Sequence, residues 1–392
     1  MRVLLVDSDL RYPFRGTELY TLHLARSLSD RGHRVAIASA HLSAEALPSL
    51  DGVEVFVLPV RQMYTPNGVR QPVGKRVAWH SLDVYNPSVL PWMRRTLTVF
   101  GPDIVHTQNF QGLSGAVLSS VRRRPHVHTV HDFTLVDPTP TLLRSDGSVR
   151  NRLQRARAAR ARLLGRLTAG CTLIYPSKRT LDIHRRLGWR SSGSRDVVLP
   201  HGWFAGSGRA RRTRAKDGPL RVLFLGKLSK AKGVDVLLDA WGPGGIAKAE
   251  LVIGGAGPLE GQVETTAAGT RSVRFERWVG HEAKQRLLAE ASVLAFPSRW
   301  PETFGLAAAE AVLAGVPVMT SEVAAPEFVR NDTNGLVIRG DADAWGDAIA
   351  ALASNPPRLA RLRSGARRTA SELDWDVHVE RLESLYRETI AV

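Results

Sequence analysis

The chain has 392 residues, 43% apolar and 23% charged, with 54 Lys and Arg against 37 Asp and Glu and a single cysteine, Cys171. That length suits two domains of about 150 to 200 residues, and the composition excludes a disordered or fibrous protein. The apolar runs are strand-sized, short of the roughly 20 residues that span a bilayer, and one cysteine excludes an intramolecular disulfide, so a cytoplasmic protein is expected.

The positive charge is concentrated in the first half. Residues 1–200 hold 29 Lys and Arg against 14 Asp and Glu, while residues 201–392 hold 25 against 23. Such a field draws polyanions, anionic lipid head groups or phosphorylated molecules. Arg2 to Asp7 reads as a strand, followed by a polar loop and a helix with apolar Leu19, Leu22, Leu24, Ala25 and Leu28, which Gly32 stops. Val35 to Ala38 and Val53 to Leu58 are the next strands. This alternation predicts a parallel doubly wound sheet, which takes ligands at the carboxyl ends of its strands. The loop Arg15-Gly16-Thr17-Glu18 lies at one such end. Gln62 to Pro91 reads as loop with short helices, its aromatics Tyr64, Trp79 and Tyr85 serving either domain packing or the face of a sugar or apolar aglycone.

Asp103 to His106 and Val127 to His131 are two further strands, each ending in His. Histidines without other context are ordinarily surface or satisfied core groups, which is the reading for His106 and His128. Arg150 to Arg166 carries seven arginines and no acid. They spread over more than one helix face, giving either a solvated helix or one that touches phosphate or anionic lipid at the inner face of a membrane. No module that reads specific nucleic acid is visible. Strands at Cys171 to Ser177 and Asp196 to Gly202 complete the first half. The expected division is a first domain over 1–205, a basic linker over 206–219, a second domain over 220–374, and a last helix over about 375–392.

The second half opens with a strand, Leu220 to Leu225, and a glycine turn at Gly226. Lys227 and Lys232 stand five apart before Gly233 and a helix, so two ammonium groups flank a phosphate-sized gap. Loop lysines are ordinarily solvated, and the strand and Gly233 beside these two favour phosphate contact. Glu250 to Pro258 runs into a second glycine turn with Gly255, Ala256 and Gly257, but a dinucleotide fingerprint needs a third glycine that does not fit. Val273 to Gly280 is a strand ending in Trp278-Val279. Ser292 to Phe296, Pro297 to Phe304 and Leu306 to Ala314 then make strand, loop and helix. Thr303 is expected to cap that helix, leaving the N–H groups of Gly305 and Leu306 for a diphosphate. Glu302 in the loop can reach sugar hydroxyls, while Glu310, about one and a half turns into the helix, can accept from a ribose diol. Taken singly each is an ordinary exposed acid. Glu310 nevertheless sits among Ala307, Ala308, Ala309, Ala311, Val312 and Leu313, without the polar neighbours of a solvated face.

Glu302 and Glu310, followed by Gly315-Val-Pro-Val318, resemble the E-x7-E signature of the retaining family 4 glycosyltransferases. Gly226-Lys-Leu to Lys232-Gly233 resembles that family's Gly-Arg-Leu-(x3)-Lys-Gly motif. Gly255-Ala-Gly257-Pro, His131-Asp132 and Pro200-His-Gly202 also fall in its order. Three features depart from it: Arg15 stands where a first glycine is usual, Lys227 replaces Arg and loses bidentate geometry, and the Thr139 to Ser148 loop lacks the cysteines of some bacterial members.

The resemblance implies an α/β GT-B fold, with two Rossmann-like doubly wound domains facing a cleft and the last helix crossing back to the first. The first domain would hold the acceptor and the second the nucleotide sugar. In that reading Lys227 and Lys232 neutralise the diphosphate with the helix start at Thr303, Phe304, Gly305 and Leu306, each cation supplying roughly 2 to 4 kcal/mol of transition-state stabilisation. Glu302 orients sugar hydroxyls, Glu310 the ribose, and His131 the far side of the donor sugar. Gly16, Arg15 and Gly226 approach the donor, while Gly257 and the backbone at Val279 hold the nucleotide. No cofactor or metal is expected beyond the nucleoside-diphosphate sugar, with UDP favoured over GDP and a hydroxyl or amine acceptor that composition hints is anionic. No Asp-x-Asp loop lies near the phosphate motifs. Rival expectations are a GT-B epimerase or phosphorylase and a non-catalytic polyanion-binding protein.

Overall fold

The computed structural model of the chain describes residues 1–12, 14, 16–60, 72–137, 142, 154–190, 193–204 and 218–392. It divides into two compact units. The first comprises residues 1–141, 151–200 and 376–392, and the second is built on residues 201–375.

The first unit is a seven-stranded, wholly parallel sheet. Its strands are β1 (Arg2–Asp7), β2 (Arg34–Ser39), β3 (Glu54–Val57), β4 (Ile104–Asn109), β5 (His126–Thr129), β6 (Thr172–Tyr175) and β7 (Arg195–Val198), in the order β3-β2-β1-β4-β5-β6-β7. The chain therefore starts in the middle, winds outward one way and returns to wind the other, and the switch lies between β1 and β4. Central strands need apolar residues on both faces; Val3, Leu4, Leu5 and Val6 are fully buried. Helix α1 (Gly16–Asp30) buries Tyr20, Leu22, Leu24, Ala25 and Leu28 against the sheet. Helices α2 (Val73–Val84), α3 (Val89–Phe100), α4 (Ala116–Val121), α5 (Gln154–Leu167) and α6 (Lys178–Arg186) follow. The region read as loop with short helices thus contains the whole of α2, while residues 61–71 lie outside those described.

The second unit repeats the plan with six parallel strands. These are β8 (Leu220–Leu225), β9 (Ala249–Gly254), β10 (Val273–Phe275), β11 (Val293–Phe296), β12 (Val318–Ser321) and β13 (Gly335–Ile338), ordered β10-β9-β8-β11-β12-β13. Its helices are α7 (Val234–Trp241), α8 (Glu260–Gly269), α9 (His281–Glu290), α10 (Leu306–Leu313), α11 (Ala342–Ala353) and α12 (Pro356–Thr369). The core joins Val222, Phe224, Leu237, Trp241, Leu251, Ile253, Val293 and Trp345. β8 and β11 are neighbours, so their carboxyl-end loops, 226–233 and 297–305, emerge side by side.

The last helix, α13 (Trp375–Ala391), belongs from Asp376 onward to the first unit. Polar bonds fasten it there: His378 Nε2 accepts from the Tyr20 hydroxyl at 2.7 Å, Tyr386 and His106 share a bond of 2.6 Å, and Glu383 meets His33 at 2.7 Å. The first unit ends at Pro200 and not at 205, because Trp203 N donates to Leu373 O at 2.9 Å and carries the preceding residues with it. Of the expected linker, residues 206–217 lie outside those described. No described helix is long and apolar enough to cross a membrane.

Candidate active site

In the second unit, two loops are built to touch. Gly233 has φ +73°, and a Cβ there would stand 2.0 Å from the carbonyl oxygen of Pro297, so only glycine lets the segment 226–233 lie against the loop after β11. Arg299 N donates to Ala231 O at 2.9 Å, and the Arg299 guanidinium bonds Asp235 at 2.6 Å. The seam therefore joins the lysine-bearing turn to the acid-bearing loop.

At this seam Lys232 Nζ stands 2.6 Å from Glu302 Oε1 and 5.2 Å from the centre of the Trp300 ring. The same Oε1 accepts from Ser298 Oγ at 2.8 Å and from Trp300 Nε1 at 2.7 Å. Glu302 retains 8% side-chain exposure. Three donors on one oxygen fix the carboxylate, and Oε2 carries no hydrogen bond from a described residue. Eight positions on, Glu310 repeats the arrangement: Lys284 Nζ lies 2.5 Å and Trp203 Nε1 3.2 Å from its Oε1. Here too Oε2 is unpartnered among the described residues.

Helix α10 starts at Leu306 behind Gly305, whose φ of +86° makes it the cap residue, and a glycine has no side chain to bond the first turn. Thr303 is therefore not the cap. A Cβ on Gly305 would stand 2.8 Å from Pro326 Cγ, which explains the glycine by space as well as by conformation. Phe304 turns its ring inward, between His201 and Phe328 at 5.1 and 5.4 Å, which leaves a ligand only its backbone. Lys227 is exposed and pairs with no described residue, so of the two lysines only Lys232 is brought to the acids.

The glycine turn after β9 is explained by backbone proximity. A Cβ on Gly255 would lie 1.9 Å from Gly226 O, and one on Gly257 would lie 2.5 Å from Leu228 O. Gly226 N donates to Gly254 O at 3.1 Å and Leu228 N to Ala256 O at 3.0 Å. Val279 is half-buried beside Gly254.

In the first unit, His131 follows β5 and bonds Gln108 Oε1 through Nε2 at 2.8 Å, with Tyr20 edge-on at 5.1 Å. Burial, reinforced by His128 and His378, pushes its basicity down to about 3. It is a neutral hydrogen-bonding group and not a cation. Gly16 opens α1, and Arg15 lies outside the described residues. At the end of β1, Asp7 accepts from Thr21 Oγ1 at 2.7 Å; burial raises its carboxyl to about 8, with Glu18 adding to the rise.

The arginine-rich helix needs correction at two positions. Arg157 pairs with Asp137, and Arg160 reaches Asp83 at 3.1 Å and Thr134 O at 2.7 Å, all inside the unit. These two arginines are interior ties and do not face a membrane, whereas Arg162 and Arg166 are exposed. Residues 150–153 lie outside the described set, as does all of the Thr139 to Ser148 loop but Leu142.

Sequence reasoning passed over Lys284, Trp203, Ser298 and Trp300. The last two lay within the quoted loop and are polar groups flanking Glu302, a signal that was available. Lys284 looks like any solvated helix lysine, and its partner is 26 positions away.

Residues 14–203 match the family described as Glycosyltransferase Family 4, and residues 219–355 match Glycosyl transferases group 1. A curated relative, the D-inositol 3-phosphate glycosyltransferase of Xylanimonas cellulosilytica, is 29% identical over 92% of this chain and 88% of its own. Among solved structures, sucrose-phosphate synthase from Thermosynechococcus elongatus superposes with a TM-score of 0.74 at 21% identity, covering 100% of this chain and 99% of its own. Anabaena HepE, solved in complex with UDP and glucose, gives 0.69 at 19%, covering 99% and 100%.

Proposed function

Because the chain belongs to the family 4 glycosyltransferases, enzymes of the GT-B fold, we propose that it moves a glycosyl group from a nucleoside-diphosphate sugar to an acceptor with retention at the anomeric carbon. One observation carries this reading: the lysine of the glycine turn and the first acid of the E-x7-E pair meet at 2.6 Å just ahead of α10. A cation, a carboxylate with one open oxygen and a helix start whose cap is a glycine suit a sugar diphosphate, since departure of the nucleotide concentrates negative charge where Lys232 and that helix start are fixed.

In the proposed step the bond from C1 to the β-phosphate oxygen breaks and a bond from C1 to the acceptor oxygen forms on the same face. The acceptor proton passes to the departing phosphate. Glu302 orients sugar hydroxyls through Oε2, Glu310 takes the ribose, and Lys227 closes on the phosphate from the solvent side. The three donors on Glu302 Oε1 draw off the charge a nucleophile would use, which favours orientation over a covalent glycosyl intermediate on that acid. Lysines supply the positive charge, and the reading needs no metal.

UDP is the preferred nucleotide, supported by the presence of UDP in the solved HepE complex. The basic first half suits an anionic or phosphorylated acceptor, in keeping with the name of the curated relative, while the single cysteine suits a cytoplasmic setting. The test is incubation with a panel of UDP- and GDP-sugars and phosphorylated polyols, following nucleotide release and product anomer. Release that depends on acceptor and yields a retained anomer supports the reading, whereas epimerised donor without an acceptor, or no turnover with tight nucleic-acid binding, overturns it.

A further inference from the structure

We propose that Lys284 is a positioning residue: it aims Glu310 and so sets a preference for ribonucleotide donors over those lacking the ribose diol. This rests on the reading of Glu310 as the ribose acceptor.

Helix α10 offers Glu310 no help of its own. Its other residues are all Leu, Ala or Val, and Ala308, Ala309, Ala311 and Val312 are fully buried. The direction of the carboxylate must come from elsewhere, and two groups provide it. Trp203 is a fixed donor: its ring is 2% exposed and stacked on Phe204 at 4.5 Å, and its backbone N is held by Leu373 O. Lys284 is the countercharge, with Nζ 2.5 Å from Oε1. Both land on Oε1 and leave Oε2 for a ligand. A free glutamate has three side-chain torsions to order on binding, whereas one held at Oε1 has already met most of that cost. A site so fixed discriminates against a ligand that leaves its acceptor unmatched.

The position of Lys284 adds a second consequence. It lies in the first turn of α9, and its backbone N donates to Gly280 O at 2.9 Å, directly after Trp278-Val279. The segment expected to hold the base and the acid expected to hold the ribose are thus joined through one side chain.

The experiment measures dissociation constants of UDP and 2′,3′-dideoxy-UDP, and of the corresponding guanosine pair, for the wild type, Lys284→Met, Lys284→Arg and Glu310→Gln, with donor KM and kcat alongside. The wild type should favour the ribonucleotide by about 10-fold or more. In Lys284→Met that ratio should fall to within about 2-fold of unity and donor KM should rise with kcat little changed, while Lys284→Arg retains most of the preference. Lys284→Met with the wild-type ratio overturns the proposal, as does an equal loss of both ligands. If Glu310→Gln abolishes the preference and Lys284→Met does not, the positioning role fails and the ribose reading stands. If Glu310→Gln keeps the preference, or the wild type shows none, the ribose reading itself fails.

Discussion

The two units share a parallel doubly wound plan but differ in how many neutral titratable groups they bury. Beside two buried ion pairs, Arg157–Asp137 and Arg160–Asp83, the first buries a set of neutral rings: His106, His126, His128, His131, His184 and His378 are each held neutral by burial far below the usual range. The second keeps few buried titratable groups and places charge on the loops and helices that follow its strands, as the pairs Lys232–Glu302, Lys284–Glu310 and Arg299–Asp235. The difference teaches what each unit can host. A neutral, hydrogen-bonding interior suits hydroxyl-rich molecules, while fixed ammonium groups beside half-matched carboxylates suit a diphosphate carrying two sets of hydroxyls.

Acid should expose this contrast most strongly. Unfolded histidines take up protons below about pH 6.5, whereas five of these six do so in the fold only near pH 3 to 4. Their contribution is therefore full above pH 6.5 and is lost as pH falls, at about 2 kcal/mol per histidine by pH 5. Together they are comparable with the roughly 5 to 15 kcal/mol that holds an ordinary domain folded. In the second unit the resolved acid is Glu372, held low by a hydrogen bond from Arg330, so its loss begins only below about pH 4.5. Limited proteolysis across pH 7 to 4 with fragment mapping should show the first unit cut well before residues 220–374; simultaneous cutting would erase the contrast.

The next effect is on turnover. Glu302→Gln and Lys232→Ala should each lower kcat/KM by about 10² to 10³, a loss of roughly 3 to 4 kcal/mol, with melting temperature little changed. A fall of less than about 5-fold would remove both from the working site. Gly233→Ala comes after that. Its Cβ would meet Pro297 O at 2.0 Å, so the loops must separate, costing about 2 to 4 kcal/mol in denaturant unfolding of the second unit. Gly244, which has open space around it, is the control.

How much of this was legible in the sequence depends on range. Strands such as Leu220 to Leu225 announce themselves because both faces are buried, and the lysine turn and E-x7-E stand out because glycine and charge interrupt that apolar pattern. Thr303 was misread as a cap because capping propensity is local, whereas Gly305 is selected by Pro326 twenty-one positions later. Arg157 and Arg160 look solvated until Asp137 and Asp83 are folded against them. Lys284 and Trp203 have no local signature, since their meaning comes from a carboxylate far along the chain.

The smallest predicted effect concerns Asp7. Its folded carboxyl holds a proton to about pH 8 while the unfolded one releases it near 3.8, so the stability it confers is full below 3.8 and declines as pH rises toward 8. Asp7→Asn should therefore stabilise the first unit by about 2 kcal/mol at pH 7.5 and by much less at pH 5. Equal gains at both values would refute the buried proton.

The account depends most on Lys232 gripping a diphosphate ahead of α10, and calorimetric titration of UDP and uridine tests it directly, with GDP and guanosine run in parallel. The prediction is that Lys232→Ala weakens the diphosphate at least about 10-fold, as losing a charged hydrogen bond implies, and leaves the nucleoside unchanged. Equal binding of UDP by both proteins, or parallel losses for UDP and uridine, would contradict it.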